Sequence, residues 1–282
     1  MVRIITDSAA DFEPAELHNM QITCIPLVVL FGEDSYYENE TLSKNQFYQL
    51  LASSASSPKT AQASPQILMD LFEAAGEAGD EAIYITLSSA LSGTYQNAEM
   101  AKRLVDSDRC YVVDSRNGTG GQRMVVEYAA RLRDAGKNAC QIIEALEAMR
   151  DRVELYACID TLEYLYRGGR ISQTAYKLGT LANIKPIISV DKAGHVTVPA
   201  KAMGMRKGME QLCKRVTVKK PDPQFPLYVM YTNNRDVGKA LAQKLEAMGI
   251  FVPDERLIQV GAAIGSHIGP EACGLVYVAE EE

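Results

Sequence analysis

Three short runs rich in apolar and β-branched residues constrain the fold most: VRIITD (2–7), EAIYITL (81–87) and CYVVDS (110–115). Each reads as a buried strand and each ends in small polar residues. After the second run, TYQNAEMAKRLV (94–105) places Ala98, Ala101 and Val105 on one helical face. After the third come two more amphipathic helices, GQRMVVEYAARLRDAG (121–136), closed by Gly136, and NACQIIEALEAMRDR (138–152), capped by Asn138. The segment between the first two strands mixes a strand-like ITCIPLVVLF with a helix-like LSKNQFYQLLASS. Strands that alternate with helices predict a largely parallel, doubly wound sheet.

From VELYACID (153–160) onward the pattern changes. A short helical turn and an RGGR loop precede the strand IKPIISVD, a hairpin signal at 192–194 and HVTVPAKA. A basic helix around RKGMEQLCKRV, the Pro-rich break KKPDPQFP, strand LYVMYTN, helix DVGKALAQKLEAMG, strand RLIQVG, a glycine-studded loop and strand GLVYVAE follow. The expected fold class is α/β with two α/β domains, 1–154 holding the parallel sheet and 155–282 a mixed one.

With 282 residues, 47% of them hydrophobic, a sizeable core is available. The net charge of −7 gives no general attraction to nucleic acid, so no nucleic-acid partner is expected. No apolar run is long enough to span a bilayer and no leader pattern opens the sequence, which predicts a cytoplasmic protein. Cys24, Cys110, Cys140, Cys158, Cys213 and Cys273 are scattered without C-x-x-C spacing and read as small core residues in a reducing compartment. His18, His195 and His267 show no ligand spacing, so no metal site is expected.

Ligands of open α/β sheets collect at the carboxyl ends of the strands. The residues there are Asp7 and Ser8, then 88–94, then Asp114 and Ser115, all of which could equally cap the helices that follow. In LSSALSGTYQNA (87–98), Ser92, Gly93 and Thr94 open a helix whose free N–H groups suit an anion. The lysine of a phosphate loop is missing, as is the G-x-S-x-G frame of a hydrolase. The irregular loop PKTAQASP (58–65) displays Thr60, with Ser64 as the cap and Pro65 as the first residue of the next helix. LEYLYRGGRIS puts Arg167 and Arg170 around a double glycine, and the Gly-rich loop GSHIGP (265–270) carries His267 within reach of a site.

ITDSAADF, SPKTAQASP, LSSALSGTYQNA, LEYLYRGGRIS, NIKPIISVDKAGHV and IGSHIGP stand in an order and spacing that resemble the DegV family of fatty-acid-binding proteins over essentially the whole chain. The resemblance implies two α/β domains with a long-chain fatty acid buried between them. Carried over by motif, its carboxylate ligands are Thr60 and Ser92, with backbone help from Gly93 and Thr94 and with His267 nearby. The resemblance further implies a bacterial carrier with no catalytic residues and no cofactor, which presents the acid to a separate kinase subunit for acyl phosphate formation. Arg170 matches a position implied in that encounter or in transient membrane contact. Ala61 and Ala63 depart from the more usual small polar or proline residues of the motif. The rival expectation is a small-molecule hydrolase or phosphotransferase that uses the same strand-end residues.

Overall fold

Burial of the apolar runs on both faces builds a parallel sheet in the computed structural model, which describes residues 1–54, 56–177 and 183–281. Strands β1 (Val2–Asp7), β2 (Ile22–Ile25), β6 (Glu81–Thr86) and β7 (Cys110–Asp114) lie in the order β2-β1-β6-β7, all parallel. The strand order reverses between β1 and β6, where a crevice opens at the carboxyl ends. Helices α3 (Pro65–Glu77) and α4 (Thr94–Val105) cover one face, with Phe72, Ala98 and Ala101 buried against Ile5 and Tyr84. On the other face, α5 (Thr119–Asp134) and α6 (Ala139–Arg150) pack against Ile4, Ile83 and Ile85.

A second sheet has the order β10-β9-β8-β13-β11-β12 and is antiparallel except between its last two strands. It comprises β8 (Val153–Ile159), β9 (Ile184–Val190), β10 (Val196–Met203), β11 (Tyr228–Tyr231), β12 (Leu257–Gln259) and β13 (Ala272–Val278). Its outer face carries α9 (Gly204–Val218) and α10 (Arg235–Glu246). Two short helices, α7 (Glu163–Arg167) and α8 (Gln173–Lys177), lie between β8 and β9. Between the sheets runs α5, close enough that a Cβ on Gly120 would stand 2.7 Å from Val276 Cγ1. One continuous core therefore joins Ile83 and Ile85 to Leu155, Val276 and Val278.

Local caps agree with their sequence signals. Ser64 Oγ accepts from the Gln66 N–H and Asn138 forms a capping box with Gln141. Several expectations are corrected. ITCIPLVVLF is broken at Pro26 into β2 and β3 (Val28–Phe31), because proline withdraws a ladder donor. β3 belongs to a third, antiparallel sheet with β4 (Asp34–Tyr37) and β5 (Lys59–Ala61), so Thr60 sits on a strand paired with Val29 rather than in an irregular loop. Helix α1 (Pro14–Asn19), held by a capping box between Glu13 and Glu16, lies between β1 and β2, and α2 (Lys44–Ser53) follows β4. Cys140 is exposed on α6 rather than part of the core.

The glycine-studded loop near the end contains a helix, α11 (Ala262–Ile268), which carries His267. It packs against the small sheet, α2 and α7. Gly265 makes that seat possible, since a Cβ there would stand 2.7 Å from Phe47 Cε1 and 2.8 Å from the Tyr48 hydroxyl. Gly265→Ala is therefore expected to cost about 1–3 kcal/mol by overpacking. A lowered urea midpoint with unchanged slope would show it, and an unchanged midpoint would contradict this seat.

Candidate functional site

The third sheet, the carboxyl end of the parallel sheet, α7 and α11 close around a cavity of about 320 Å³. Thr60 enters from β5, Ser92 and Gly93 from the amino end of α4, His267 from α11 and Arg170 from the turn after α7. The wall between them is apolar, with Leu27, Leu87, Leu91, Leu165, Ala263 and Ile264. Five of the six site residues expected from sequence thus line one space. Thr94, the sixth, is buried behind Ser92, with the two hydroxyls 2.8 Å apart.

The hydrogen bonds orient the hydroxyls. Ser92 Oγ already accepts from the Thr94 N–H at 3.3 Å. With the Thr94 hydroxyl as the second donor, the proton of Ser92 is left to point into the cavity. Thr60 Oγ1 lies 3.0 Å from His267 Nε2. His267 Nδ1 is buried and has no hydrogen-bond partner among the described residues. Keeping the ring proton there would bury a donor unsatisfied, at about 1–3 kcal/mol, so the neutral ring favours Nε2–H. That N–H donates to Thr60, whose own proton is then free for a ligand.

Burial holds the His267 imidazole down at about 4 from its ordinary 6.5, and the charge of Arg170 adds to the effect. A histidine prepared as a hydrolytic base has a carboxylate to orient it. His267 faces a threonine and a guanidinium instead. Arg170 is half-buried, and two of its donors are committed to the carbonyls of Leu91 and Gly168. The cavity therefore offers the hydroxyls of Thr60 and Ser92, the N–H groups at the start of α4 and one guanidinium with two of its five donors committed to backbone carbonyls. This donor set suits a single carboxylate.

Leu91, Val196, Ile264 and Ile268 also wall a second, apolar space of about 70 Å³ that lies between the second sheet, the amino end of α5 and α11. Ala157, Ile188 and Met230 line it further in. At roughly two waters' share of liquid volume it is narrow, so a long tail must part these side chains. Met230 is the most adaptable of them, an unbranched thioether between Gly120 and Gly274. Sequence reasoning missed this apolar wall, whose residues come from distant strands and look like any other core. Gln62, displayed by the same PKTAQASP stretch as Thr60, also lines the cup, and its Oε1 would lie 2.4 Å from a Cβ on Gly93.

Beneath the cavity, Asp7 ties β1 to β6. Its carboxylate accepts from the N–H of Leu87 at 2.9 Å and from Gln122 Nε2 at 3.1 Å. Burial raises it to about 6 although these bonds favour its charge.

The site is thus a polar cup that shares a wall with an apolar slot, set within a layered α/β fold. Residues 1–280 match the sequence model of the DegV family, described as uncharacterised proteins, and the chain belongs to that family. A DegV domain-containing protein of Caldanaerobacter subterraneus is 32% identical over 281 residues, covering 98% of both chains. Among solved structures, a DegV family protein of Thermus thermophilus, described for its fatty acid binding, is 29% identical with a TM-score of 0.89 and 99% of each chain covered. DegV of Bacillus subtilis, described as a fatty acid binding protein, is 27% identical with a TM-score of 0.84 over 99% of each chain. No helix among the described residues is long and apolar enough to cross a membrane, and no group of residues there could hold a metal ion.

The neutral His267 makes a pH prediction. A histidine with a depressed folded-state pKa contributes stability that is present above its unfolded value and is lost on acidification. Relative to His267→Gln, the wild-type chain should lose stability as the pH falls from 6.5 toward 4. Urea denaturation across that range checks this, and parallel curves for the two chains would contradict a buried neutral ring.

Proposed function

We propose that this chain binds a long-chain fatty acid, with the carboxylate in the Thr60–Ser92 cup and the tail in the apolar slot against the second sheet. The observation that carries the reading is that the cup and the apolar slot are neighbours that share Leu91, Val196, Ile264 and Ile268 as a common wall. The fatty-acid binding described for the relatives from Thermus thermophilus and Bacillus subtilis supports it. Burying about fifteen methylenes at ~0.8 kcal/mol each gives a gross gain on the order of 10 kcal/mol before ordering costs. The tail supplies affinity, and the hydroxyls and the α4 amino end need only orient the head and satisfy its oxygens. In this reading Thr60, Ser92, Gly93 and Thr94 hold the carboxylate, while His267 orders Thr60.

The finer proposal is a cytoplasmic bacterial carrier, with no turnover of its own, that presents the acid to a partner kinase. Units 1–154 and 155–282 would close on the ligand from either side. Neutral donors support presentation, because they leave more charge on the carboxylate oxygens than a bidentate arginine would. One oxygen can then attack the terminal phosphoryl group of a nucleoside triphosphate held by the partner, with the nucleoside diphosphate as the leaving group. Arg170, at the rim of the cup, faces that partner or a membrane surface.

The double variant Thr60→Ala, Ser92→Ala should bind stearic acid about 10- to 100-fold more weakly while melting as the wild type does, since two hydrogen bonds to a charged group are lost. Unchanged affinity would refute the cup. Ser92→Arg should keep the acid through its tail yet block acyl phosphate formation by the kinase. Phosphorylation at the wild-type rate would refute presentation by neutral donors.

A further inference from the structure

The amino end of α11 is gripped by two buried carboxylates from distant parts of the chain. Asp11 Oδ1 accepts from the Gly261 N–H at 2.8 Å, and Glu38 Oε1 accepts from the Ala263 N–H at 3.1 Å. The second oxygen of each is tied elsewhere, Asp11 Oδ2 to the Thr119 hydroxyl at 2.5 Å and Glu38 Oε2 to the Ser8 hydroxyl at 2.6 Å. Both residues are 1% exposed. They converge so closely that a Cβ on Gly261 would stand 2.2 Å from Glu38 Oε1 and 2.9 Å from Asp11 Oδ1. His267 lies six residues along the same short rod, roughly 9 Å away at 1.5 Å per residue. A shift at the grip is carried directly to the Thr60–His267 contact.

Resting on the reading that the cup holds a fatty acid, we propose that Asp11 and Glu38 are positioning residues for it. They hold α11, and so His267, against Thr60, and protonation of the pair loosens that hold and speeds ligand release.

The surroundings make protonation accessible. Burial raises Asp11 to about 6 and Glu38 to about 7, and the charge of Asp11 pushes Glu38 up further. Opposing this, Lys44 from α2 places its ammonium on the Asp11 carbonyl and on Glu13, and the Arg123 guanidinium from α5 faces Asp11. The thiol of Cys24 and the phenol of Tyr48 face both carboxylates, and Asp7, Glu40 and Tyr231 stand around these two groups in turn. A carboxylic acid is a poorer acceptor for the α11 N–H groups than a carboxylate, so the grip weakens as the pH falls. The folding contribution has the opposite sign. Carboxyls with raised folded-state values stabilise the fold at low pH and lose that contribution as the pH rises through 6 to 7. A purely structural pair would move ligand retention and fold stability in the same direction.

The test uses the full chain loaded with stearic acid and follows release into excess phosphatidylcholine vesicles from about pH 8 to about pH 5, alongside urea denaturation. Wild-type release should quicken about tenfold over that range, while Glu38→Gln and Asp11→Asn should release fast at high pH with a flattened profile. The ligand's own protonation is common to all chains and cancels in their ratios. Variants that keep the slow release and the wild-type slope overturn the proposal. Should the variants not fold, exchange of the Gly261 and Ala263 amides in the wild-type chain must quicken relative to the global rate as the pH falls, by roughly threefold or more. Invariant exchange overturns the proposal as well. A wild-type chain that takes up no stearic acid at high pH refutes the fatty-acid reading instead, and the amide exchange still reports on the grip.

Discussion

The seat of α11 against α2 and the small antiparallel sheet is the contact on which the site depends. Gly265 lies against Phe47 and Tyr48 of α2, and the Tyr48 hydroxyl donates to the Val260 carbonyl at 2.9 Å. A stretch near the end of the chain thereby becomes part of the wall built by its beginning. Without it, His267 would not reach Thr60, and the cup would keep Ser92 but lose the group that orients its other hydroxyl. The same helix supplies Ile264 and Ile268, which wall both the cup and the apolar slot. Head and tail compartments are thus joined by one short element.

The electrostatics favour orientation over neutralisation. Arg170 is close enough to depress His267, yet two of its donors serve backbone carbonyls. A fully engaged guanidinium would bind a carboxylate more strongly and hold both its oxygens. In the proposed function most of the affinity comes from the tail, so the cup can leave the carboxylate reactive and exchangeable. The buried acids Asp7, Asp11 and Glu38 lie one layer behind, where they fix backbone and helix positions and do not face the ligand.

Much of this was legible in the sequence, for physical reasons. The three apolar runs with helices between them allow little except a parallel sheet, and Ser64 and Asn138 mark helix starts through local hydrogen bonds. Ser92, Gly93 and Thr94 could be placed because strand ends and helix starts are encoded locally. The motif order added Thr60 and His267. The missing parts depend on distant pairing. Flanking prolines and one short β-rich step disguise β5, whose strand character comes from β3. Glycines at 261, 265 and 269 suggest a loop, whereas Gly265 is there to fit against aromatic rings and the AAI run between them is the helix signal. Asp11 and Glu38 look like surface acids in polar segments, because the N–H groups they hold at the start of α11 lie more than two hundred residues away.

The most direct measurement is nuclear magnetic resonance of the chain with stearic acid labelled with carbon-13 at the carboxyl. The account predicts a single bound carboxylate signal with through-space contacts to Thr60 and His267 protons, and tail methylenes in contact with Ile188 and Met230. A carboxyl signal that shows no protein contact, or one that contacts Met230 while the tail lies beside Thr60, would contradict it.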